Sequence, residues 1–237
     1  MSHAGPSLEE ELERARDLSV SDLADAVESI GFECTRCGAC CKGHGDADDR
    51  EPHTATVFPD EVREIQDATA EELEWRDVAR PMPYGLSDGD DGPEGETFEW
   101  ALQTDACGDC AFYEETETDE GTRGACTVHA DRPLICETYP FSVALGGTSQ
   151  PMGEAVDAEG MVRAHECEGL GRNISRAEAE DLARALKERA VRELEEAIGV
   201  RDEYRSVATG PGEVVVHDSE GAKRPDGTAA AETRSDE

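Results

Sequence analysis

The stretch that decides the fold is FECTRCGACCKGHG, residues 32–45, because it carries four of the nine cysteines in the chain. Within it, two-residue gaps let sulfur atoms converge on a tetrahedral centre, as zinc knuckles and iron–sulfur loops require. The interspersed glycines suit the tight turns that such convergence needs. We therefore predict a metal-ligand loop, whose thiols are Cys34, Cys37, Cys40 and Cys41.

The ligand count predicts more than one centre. Cys40 and Cys41 are consecutive, and consecutive side chains point in different directions in helical or extended backbone. The cysteines outside the loop supply enough thiols for two four-coordinate sites with one left over, namely Cys107, Cys110, Cys126, Cys136 and Cys167. Cys107 is the candidate for the extra thiol. Which cysteines share a centre stays open at this point, and disulfide pairing is the alternative interpretation.

Helices are predicted on both sides of the cysteine-bearing region. Capping boxes of the Ser-x-x-Glu type begin at Ser7 and at Ser175, and apolar residues recur at helical spacing after each. Gly31 and Gly199 are the predicted helix ends. Two further helices are predicted over residues 59–66 and 70–79, the first because proline suits an opening helical turn.

Short strands are predicted between these helices, over residues 97–103, in a hairpin over 110–127, and in a pair over 141–145 and 161–165. Residues 85–96 combine low hydrophobicity with high charge, which is typical of an unstructured loop. The fold class is therefore α+β, with a small cysteine-rich metal-binding core of short β-hairpins and loops packed with flanking N- and C-terminal helices.

The predicted organisation has four parts. Residues 1–31 form an N-terminal helical region, 32–172 a cysteine-cluster metal-binding domain, and 173–204 a C-terminal helix packed on the same domain. Residues 205–237 form a mostly disordered acidic tail, in which only the valines at 214–216 are candidates for order.

The net charge of -35 arises from 57 Asp and Glu against 22 Lys and Arg, with lysine only at positions 42, 187 and 223. Such repulsion is screened at about 1 M salt, where the Debye length is about 3 Å. We therefore predict a halophilic protein; the alternative is an ordinary acidic surface. Nucleic acid is not an expected partner, because phosphate binding depends on Lys and Arg.

A cytoplasmic, non-membrane location is predicted. No stretch approaches the roughly 18 apolar residues that span a bilayer, and the first residues lack the pattern of a secretory signal. A reducing cytoplasm keeps thiols reduced, so nine cysteines there are better explained by metal or redox chemistry than by disulfides.

Other residues near the cysteines are candidates for supporting roles. Arg36 and Lys42 lie within the ligand loop, where positive charge offsets a thiolate cluster, although surface solubility explains them equally well. Three histidines near cysteines are candidate zinc ligands or hydrogen-bond donors to thiolates, with simple solvent exposure as the alternative: His44, His129 and His165. Prolines and aromatics bracketing Cys136 are expected to stiffen and shield it.

Four blocks in fixed order, FECTRCGACC, CAFY, CTVHADRPLICETYPF and CEGLG, resemble the CxxCxxCC cysteine-cluster family (YkgJ-like) over about residues 32–172. The resemblance implies a zinc- or iron-chelating domain, related to a region of flagellin lysine N-methylase. Cys107 departs from the pattern. The resemblance implies eight metal-binding cysteines: Cys34, Cys37, Cys40, Cys41, Cys110, Cys126, Cys136 and Cys167.

The favoured function is a metal-binding module that holds Fe–S cluster(s), with 4Fe–4S favoured by the C-x2-C-x2-C spacing, or Zn²⁺. Its role would be electron transfer or metal handling, with an unidentified protein redox partner. One alternative is a cluster-dependent enzyme, an oxidoreductase or a protein lysine methyltransferase-like protein; another is a thiol redox sensor. No nucleotide or methyl-donor motif is present, so catalytic residues stay unassigned.

Overall fold

The structure is a computed structural model, and it describes residues 5–45, 50–70, 72–119, 121–145, 155–157 and 160–230. Helices and small sheets are mixed along the chain, which confirms the α+β class. In chain order the described helices are α1 (Leu8–Arg16), α2 (Val20–Ile30), α3 (Pro59–Ala68), α4 (Trp75–Val78), α5 (Leu134–Thr138) and α6 (Arg176–Glu203), with short 3₁₀ helices at Ala39–Cys41 and His129–Asp131.

The described strands are short and form four small sheets, with strand orders β1-β5-β2, β8-β10-β9, β12-β11-β4-β3 and β6-β7. They are β1 (Thr56–Val57), β2 (Ala79–Pro81), β3 (Ser87–Gly89), β4 (Gly92–Thr97), β5 (Trp100–Leu102), β6 (Tyr113–Thr118), β7 (Gly121–Cys126), β8 (Phe141–Val143), β9 (Ala155–Asp157), β10 (Val162–His165), β11 (Val214–Asp218) and β12 (Gly221–Lys223).

The chain divides into two compact units, and each is interleaved in sequence. Unit 1 contains the described residues of Met1–Cys40, Glu115–Gly124 and Leu134–Glu195. Unit 2 contains the described residues of Cys41–Glu114, Ala125–Pro133 and Glu196–Glu237. Residues 32–172, predicted as one domain, contribute to both units, and the predicted domain boundaries stay a prediction.

Both capping boxes are present. The Ser7 amide donates to the Glu10 carboxylate over 2.9 Å, and the Glu10 amide donates to the Ser7 hydroxyl over 3.2 Å. The same reciprocal pair joins Ser175 and Glu178 at the start of α6. Each box satisfies amides that the first helical turn leaves without intrahelical partners, so local sequence fixes where these helices begin.

Gly199 does not end α6, contrary to the prediction. The helix continues to Glu203, and a Cβ at Gly199 would lie 2.5 Å from the Cβ of Ser219. Glycine is needed at this point because unit 2 packs closely there. In the sequence alone, a glycine required for packing looks the same as a glycine that ends a helix.

The helix predicted over residues 70–79 is also shorter than expected. The described helix there is α4, a single turn, after which Ala79 and Pro81 pair with Leu102 and Trp100 in an antiparallel ladder. Pairing with a strand that lies later in the sequence overrides the local helical preference.

Two segments in which little regular structure was predicted form one sheet together. Strand β4 overlaps the end of the predicted 85–96 loop, and strand β11 lies in the predicted tail. The two strands pair in parallel, from Gly95 opposite Val214 to Thr97 opposite Val216. The prediction of an unstructured 85–96 loop is therefore wrong. The tail is ordered at the valines 214–216, its candidates for order, and also over β12, where disorder was predicted. Each segment forms a hairpin of its own, β3 with β4 and β11 with β12, and each supplies backbone partners to the other.

A buried charge network anchors this sheet in the core of unit 2. Asp218 and Lys223 are only 2% and 7% exposed, and the Lys223 ammonium lies 2.8 Å from the Asp218 carboxylate. The indole N–H of Trp100, itself buried, donates to the same carboxylate over 2.8 Å. The ammonium also lies 5.1 Å from the ring centroid of Trp75. Each buried charge therefore has an opposite charge or a dipole in contact.

Candidate metal centre

All nine cysteines lie in the described ranges and carry thiols rather than disulfides. The division between the units falls between Cys40 and Cys41. Unit 1 therefore contains Cys34, Cys37, Cys40, Cys136 and Cys167, and unit 2 contains Cys41, Cys107, Cys110 and Cys126.

In unit 1, a short backbone pairing joins the start of the ligand loop to the last cysteine block. The Glu33 amide donates to the Gly169 carbonyl over 3.0 Å, and the Gly171 amide donates to the Gly31 carbonyl over 3.0 Å. Phe32 and Leu170 form the bridge between these bonds. The pairing holds the segment that leads into Cys34 against the segment that follows Cys167.

Gly169 is required at this crossing because the two backbones approach closely. A Cβ there would lie 2.3 Å from the carbonyl oxygen of Glu33, a backbone atom that cannot move aside cheaply. The Gly169 amide also donates to the sulfur of Cys167 over 3.4 Å. Amide donation to sulfur is one of the ways in which proteins adjust a thiolate centre.

Electrostatics in unit 1 link four thiols to one region. Burial is the main cause that raises the pKa of the Cys167 thiol, and the Gly169 hydrogen bond acts in the opposite direction. Negative charge on Cys37, Cys40 and Cys34 raises the pKa of Cys167 further. The thiols that act on Cys167 in this way all lie in the ligand loop and in the same unit.

Tyr139 lies beside the same thiols. Burial, followed by the charges of Cys167 and Cys40, raises the pKa of its hydroxyl to about 12. Its hydroxyl donates to the Glu166 carbonyl, next to Cys167. Phe141, fully buried, packs edge-on against Phe32 with ring centroids 5.7 Å apart. Tyr139 and Phe141 therefore contact residues next to Cys167 and Cys34, while the shielding of Cys136 itself stays a prediction.

In unit 2, backbone hydrogen bonds connect three cysteine-bearing segments. The Cys110 amide donates to the Cys41 carbonyl over 2.8 Å. The Thr127 amide, immediately after Cys126, donates to the Phe112 carbonyl over 2.9 Å. Cys110 and Cys126 thus stand at the two feet of the β6–β7 pair, as the hairpin prediction placed them, and Cys41 lies directly against the first foot.

The turn between Cys107 and Cys110 is fixed by two aspartates that the sequence analysis did not single out. The Asp105 carboxylate accepts the amides of Cys107 and Asp109 over 2.8 and 3.0 Å. The Asp109 carboxylate in turn accepts the Gly43 amide over 2.9 Å and pairs with Arg50. The available signal was the run DACGDC at residues 105–110, since aspartates commonly cap their own turns.

The basic residues of the ligand loop have defined positions. Arg36 adopts a left-handed backbone conformation (φ 59°), and its carbonyl accepts the Gly124 amide over 2.8 Å within unit 1. In unit 2 the Lys42 ammonium lies 5.5 Å from the ring centroid of Tyr113, close to Cys110 in sequence. The Arg36 carbonyl therefore takes part in the loop's backbone hydrogen bonding, and the Lys42 ammonium lies against an aromatic ring.

The three candidate histidines have different surroundings. His44 forms a backbone bridge with Glu51. One guanidinium nitrogen of Arg132 lies 3.1 Å from the Nδ1 atom of His129. His165 is buried, with its Nε2 atom 2.9 Å from the Ser142 hydroxyl. His129 and His165 therefore have polar contacts with residues other than cysteine.

Within the described ranges, no three His, Cys, Asp or Glu side chains converge as a ready-made metal site. The donor set nevertheless fits zinc or iron, because thiolate sulfur is the ligand that tetrahedral zinc and iron–sulfur centres use. Each unit has at least four sulfur donors, and the part-buried Cys167 sulfur already accepts an amide hydrogen bond. Cys34, Cys37, Cys40, Cys136 and Cys167 in unit 1, and Cys41, Cys110 and Cys126 in unit 2, are the residues that would hold it.

Fold and thiols together define a cysteine-rich α+β protein of the metal-chelating class. Residues 33–168, more than half of the chain, match the CxxCxxCC family, described as "Putative zinc- or iron-chelating domain", and the chain belongs to that family. Comparison with curated proteins and with solved structures gave no match. Among the described residues, no helix has the length and apolar character needed to cross a membrane.

Proposed function

We propose that this chain binds zinc or iron through cysteine thiolates and serves in electron transfer or metal handling. The observation that carries the proposal is the family match together with the grouping of Cys34, Cys37, Cys40 and Cys167 in unit 1. All eight family cysteines are proposed ligands: Cys34, Cys37, Cys40, Cys41, Cys110, Cys126, Cys136 and Cys167.

Two centres are proposed rather than one. Consecutive residues cannot easily direct their side chains to the same ion, and Cys40 and Cys41 fall on opposite sides of the division between the compact units. Of the eight proposed ligands, five lie in unit 1 and three in unit 2, which supplies a full four-coordinate site in unit 1 and three ligands of a second site in unit 2. The division into units therefore supports a separate centre in each.

Iron–sulfur cluster binding, with 4Fe–4S as the first candidate, is the preferred form of the proposal. The C-x2-C-x2-C spacing of Cys34, Cys37 and Cys40 resembles ferredoxin loops. The Gly169 amide donates to the Cys167 sulfur, and hydrogen bonds to sulfur are among the properties that set cluster potential. Zinc accepts the same four-thiolate geometry and is the alternative.

The test is anaerobic purification in molar KCl, followed by elemental analysis and an absorption spectrum. Iron with acid-labile sulfide and broad visible absorption supports clusters, whereas a colourless protein with stoichiometric zinc supports zinc sites. A protein without either metal, with all nine thiols open to a thiol reagent, contradicts metal binding and supports a thiol redox sensor instead. The C34S/C167S double variant, which removes two proposed ligands from unit 1, should lose metal.

We further propose that the protein works in the cytoplasm of a salt-accumulating cell. The net charge of -35 and the scarcity of lysine support this, because molar salt screens repulsion that dilute buffer does not. Circular dichroism from dilute buffer to molar KCl tests the proposal. Helicity should rise with salt, and equal helicity at both ends would contradict it.

A further inference from the structure

We infer that Cys107 is the fourth ligand of a four-thiolate metal site in unit 2, with Cys41, Cys110 and Cys126. The inference rests on the proposed function and extends it to a cysteine outside the family pattern. It also reverses the expectation from ligand counting, in which Cys107 was the spare thiol.

The first step is that main-chain hydrogen bonds in unit 2 connect the segments that carry three cysteines. Cys41 and Cys110 share a hydrogen bond of 2.8 Å between main-chain atoms. Cys126 ends β7, and the next amide returns to Phe112, two residues after Cys110. These bonds bring the backbones that carry the three thiols together, and a tetrahedral ion held by those thiols would have one open position.

The second step is that Cys107 has the spacing and support to fill that position. It stands two intervening residues before Cys110, the spacing with which two thiolates commonly reach one ion. The turn that carries both is held by the Asp105 carboxylate and closed by a bridge between Thr104 and Cys110. Cys110 is buried and Cys107 is exposed, so the pair spans from the interior to solvent.

The third step concerns charge. Four thiolates around a divalent ion leave a formal charge of two negatives, which favours nearby cations. Lys42 follows Cys41 directly and lies over the Tyr113 ring, and Arg50 pairs with Asp109 inside the Cys107–Cys110 turn. These cations stand next to the proposed ligands in a chain that is otherwise strongly acidic.

The fourth step is the count in unit 1. With Cys107 assigned to unit 2, that unit has four thiols, and unit 1 keeps Cys34, Cys37, Cys40, Cys136 and Cys167. A four-coordinate site in unit 1 then needs no thiol from unit 2. Like-charged thiolates repel until a cation offsets them, so we expect the ion itself to close each site.

The test uses the full chain, stripped of metal and titrated with Co²⁺ in molar KCl under anaerobic conditions, with thiolate-to-cobalt absorption as the readout. The wild-type chain should take up two equivalents and C107S one. The A106S variant, an equally small change in the same turn, should keep two. The C34S/C107S/C167S variant, which leaves three thiols in each unit, should lose the four-sulfur spectrum at both sites.

Equal Co²⁺ uptake and equal spectra for C107S and the wild type would overturn the inference while leaving the proposed function intact. Absence of Co²⁺ binding by the wild type would instead refute the proposed function. If C107S fails to fold, alkylation of the wild-type chain decides the matter. Cys107 should be protected in the Zn²⁺-loaded protein and labelled after chelation, and equal labelling in both states would overturn the inference.

Discussion

The ligand loop of unit 1 and the four-stranded sheet of unit 2 use charge in opposite ways. In the sheet, Asp218 and Lys223 are buried together, and Trp100 donates a further hydrogen bond to the carboxylate. Around Cys167, by contrast, burial and then the thiols of Cys37, Cys40 and Cys34 raise the pKa of the thiol, which favours its neutral form. The ion pair carries its own counter-charge, whereas these thiols need a cation beside them to become thiolates, so the two regions differ in what they need from outside.

The four-stranded sheet needs no external counter-charge, whereas the thiols of unit 1 need a bound cation. The sheet contains its own counter-charges and should be stable without metal. The segments that carry the thiols of unit 1 are paired through backbone, but the conversion of several neighbouring thiols to thiolates requires a bound cation. Both tryptophans, Trp75 and Trp100, lie in unit 2, so their fluorescence reports on the unit that contains the sheet and not on the thiols of unit 1.

The largest expected effect comes from breaking the buried ion pair. Asp218→Ala leaves the part-exposed Glu220 carboxylate as the remaining anionic contact of the buried Lys223 ammonium, and removal of one partner of a buried pair destabilises a protein by at most about 3–5 kcal/mol. Denaturant unfolding in molar KCl, followed by tryptophan fluorescence, measures the loss. Arg224→Met removes a cation from an exposed position in the same unit and serves as the control. A similar small change in both variants would contradict the account of the sheet.

The next effect is expected at the crossing in unit 1. Gly169→Ala places a Cβ against the Glu33 carbonyl, and such overpacking destabilises by about 1–3 kcal/mol. Because the crossing carries Cys34 and Cys167, metal content should fall as well, while tryptophan fluorescence stays that of the native protein. Gly5→Ala, where a Cβ meets open space, is the matched control. Full metal content in Gly169→Ala would show that the crossing does not position the ligands.

A smaller effect is expected at Gly199. Alanine gains about 1 kcal/mol of helix propensity over glycine, but its Cβ collides with Ser219, so Gly199→Ala should be modestly destabilising. The double variant G199A/S219G removes the collision and should exceed Gly199→Ala in the free energy of unfolding, measured by chemical denaturation. Additive effects of the two substitutions would contradict the close packing described here.

The smallest effect is the acid dependence of Glu220. A hydrogen bond from Arg63, followed by contacts with Lys223, lowers the pKa of Glu220 to about 2. A carboxyl with a lowered folded pKa contributes stability above its unfolded pKa, near 4.5, and loses it as pH falls towards 2. The side chain is 42% exposed, so solvent and salt reduce the contribution to less than about 1 kcal/mol. Denaturant midpoints of E220Q and the wild type should differ at neutral pH and converge near pH 2.

Sequence reasoning succeeded where the determinants are local. The capping boxes at Ser7 and Ser175 form because each pairs residues three apart. The β6–β7 pair and the ligand loop likewise follow from turn residues and cysteine spacing. In each case, the residues that decide the structure are neighbours in the chain, so their pattern is visible without the fold.

Sequence reasoning failed where distant segments complete each other. β4 has an acidic, glycine-rich sequence, and it is ordered by pairing with the adjacent β3 and with β11, which lies far later in the chain. Within the candidate site, the cysteine spacing predicted a ligand loop but not its partner, since the pairing of residues 31–33 with 169–171 joins remote parts of the chain. The importance of Gly169 depends on that remote contact, whereas Asp105 acts within its own turn.

The most direct test of the central claim is X-ray absorption spectroscopy at the metal edge of the purified protein. Thiolate binding predicts a first shell of sulfur alone, at about 2.3 Å for zinc, with iron neighbours in addition if the metal is a cluster. A first shell dominated by nitrogen or oxygen, or a protein without bound metal, would contradict the assignment of Cys34, Cys37, Cys40 and Cys167 as ligands.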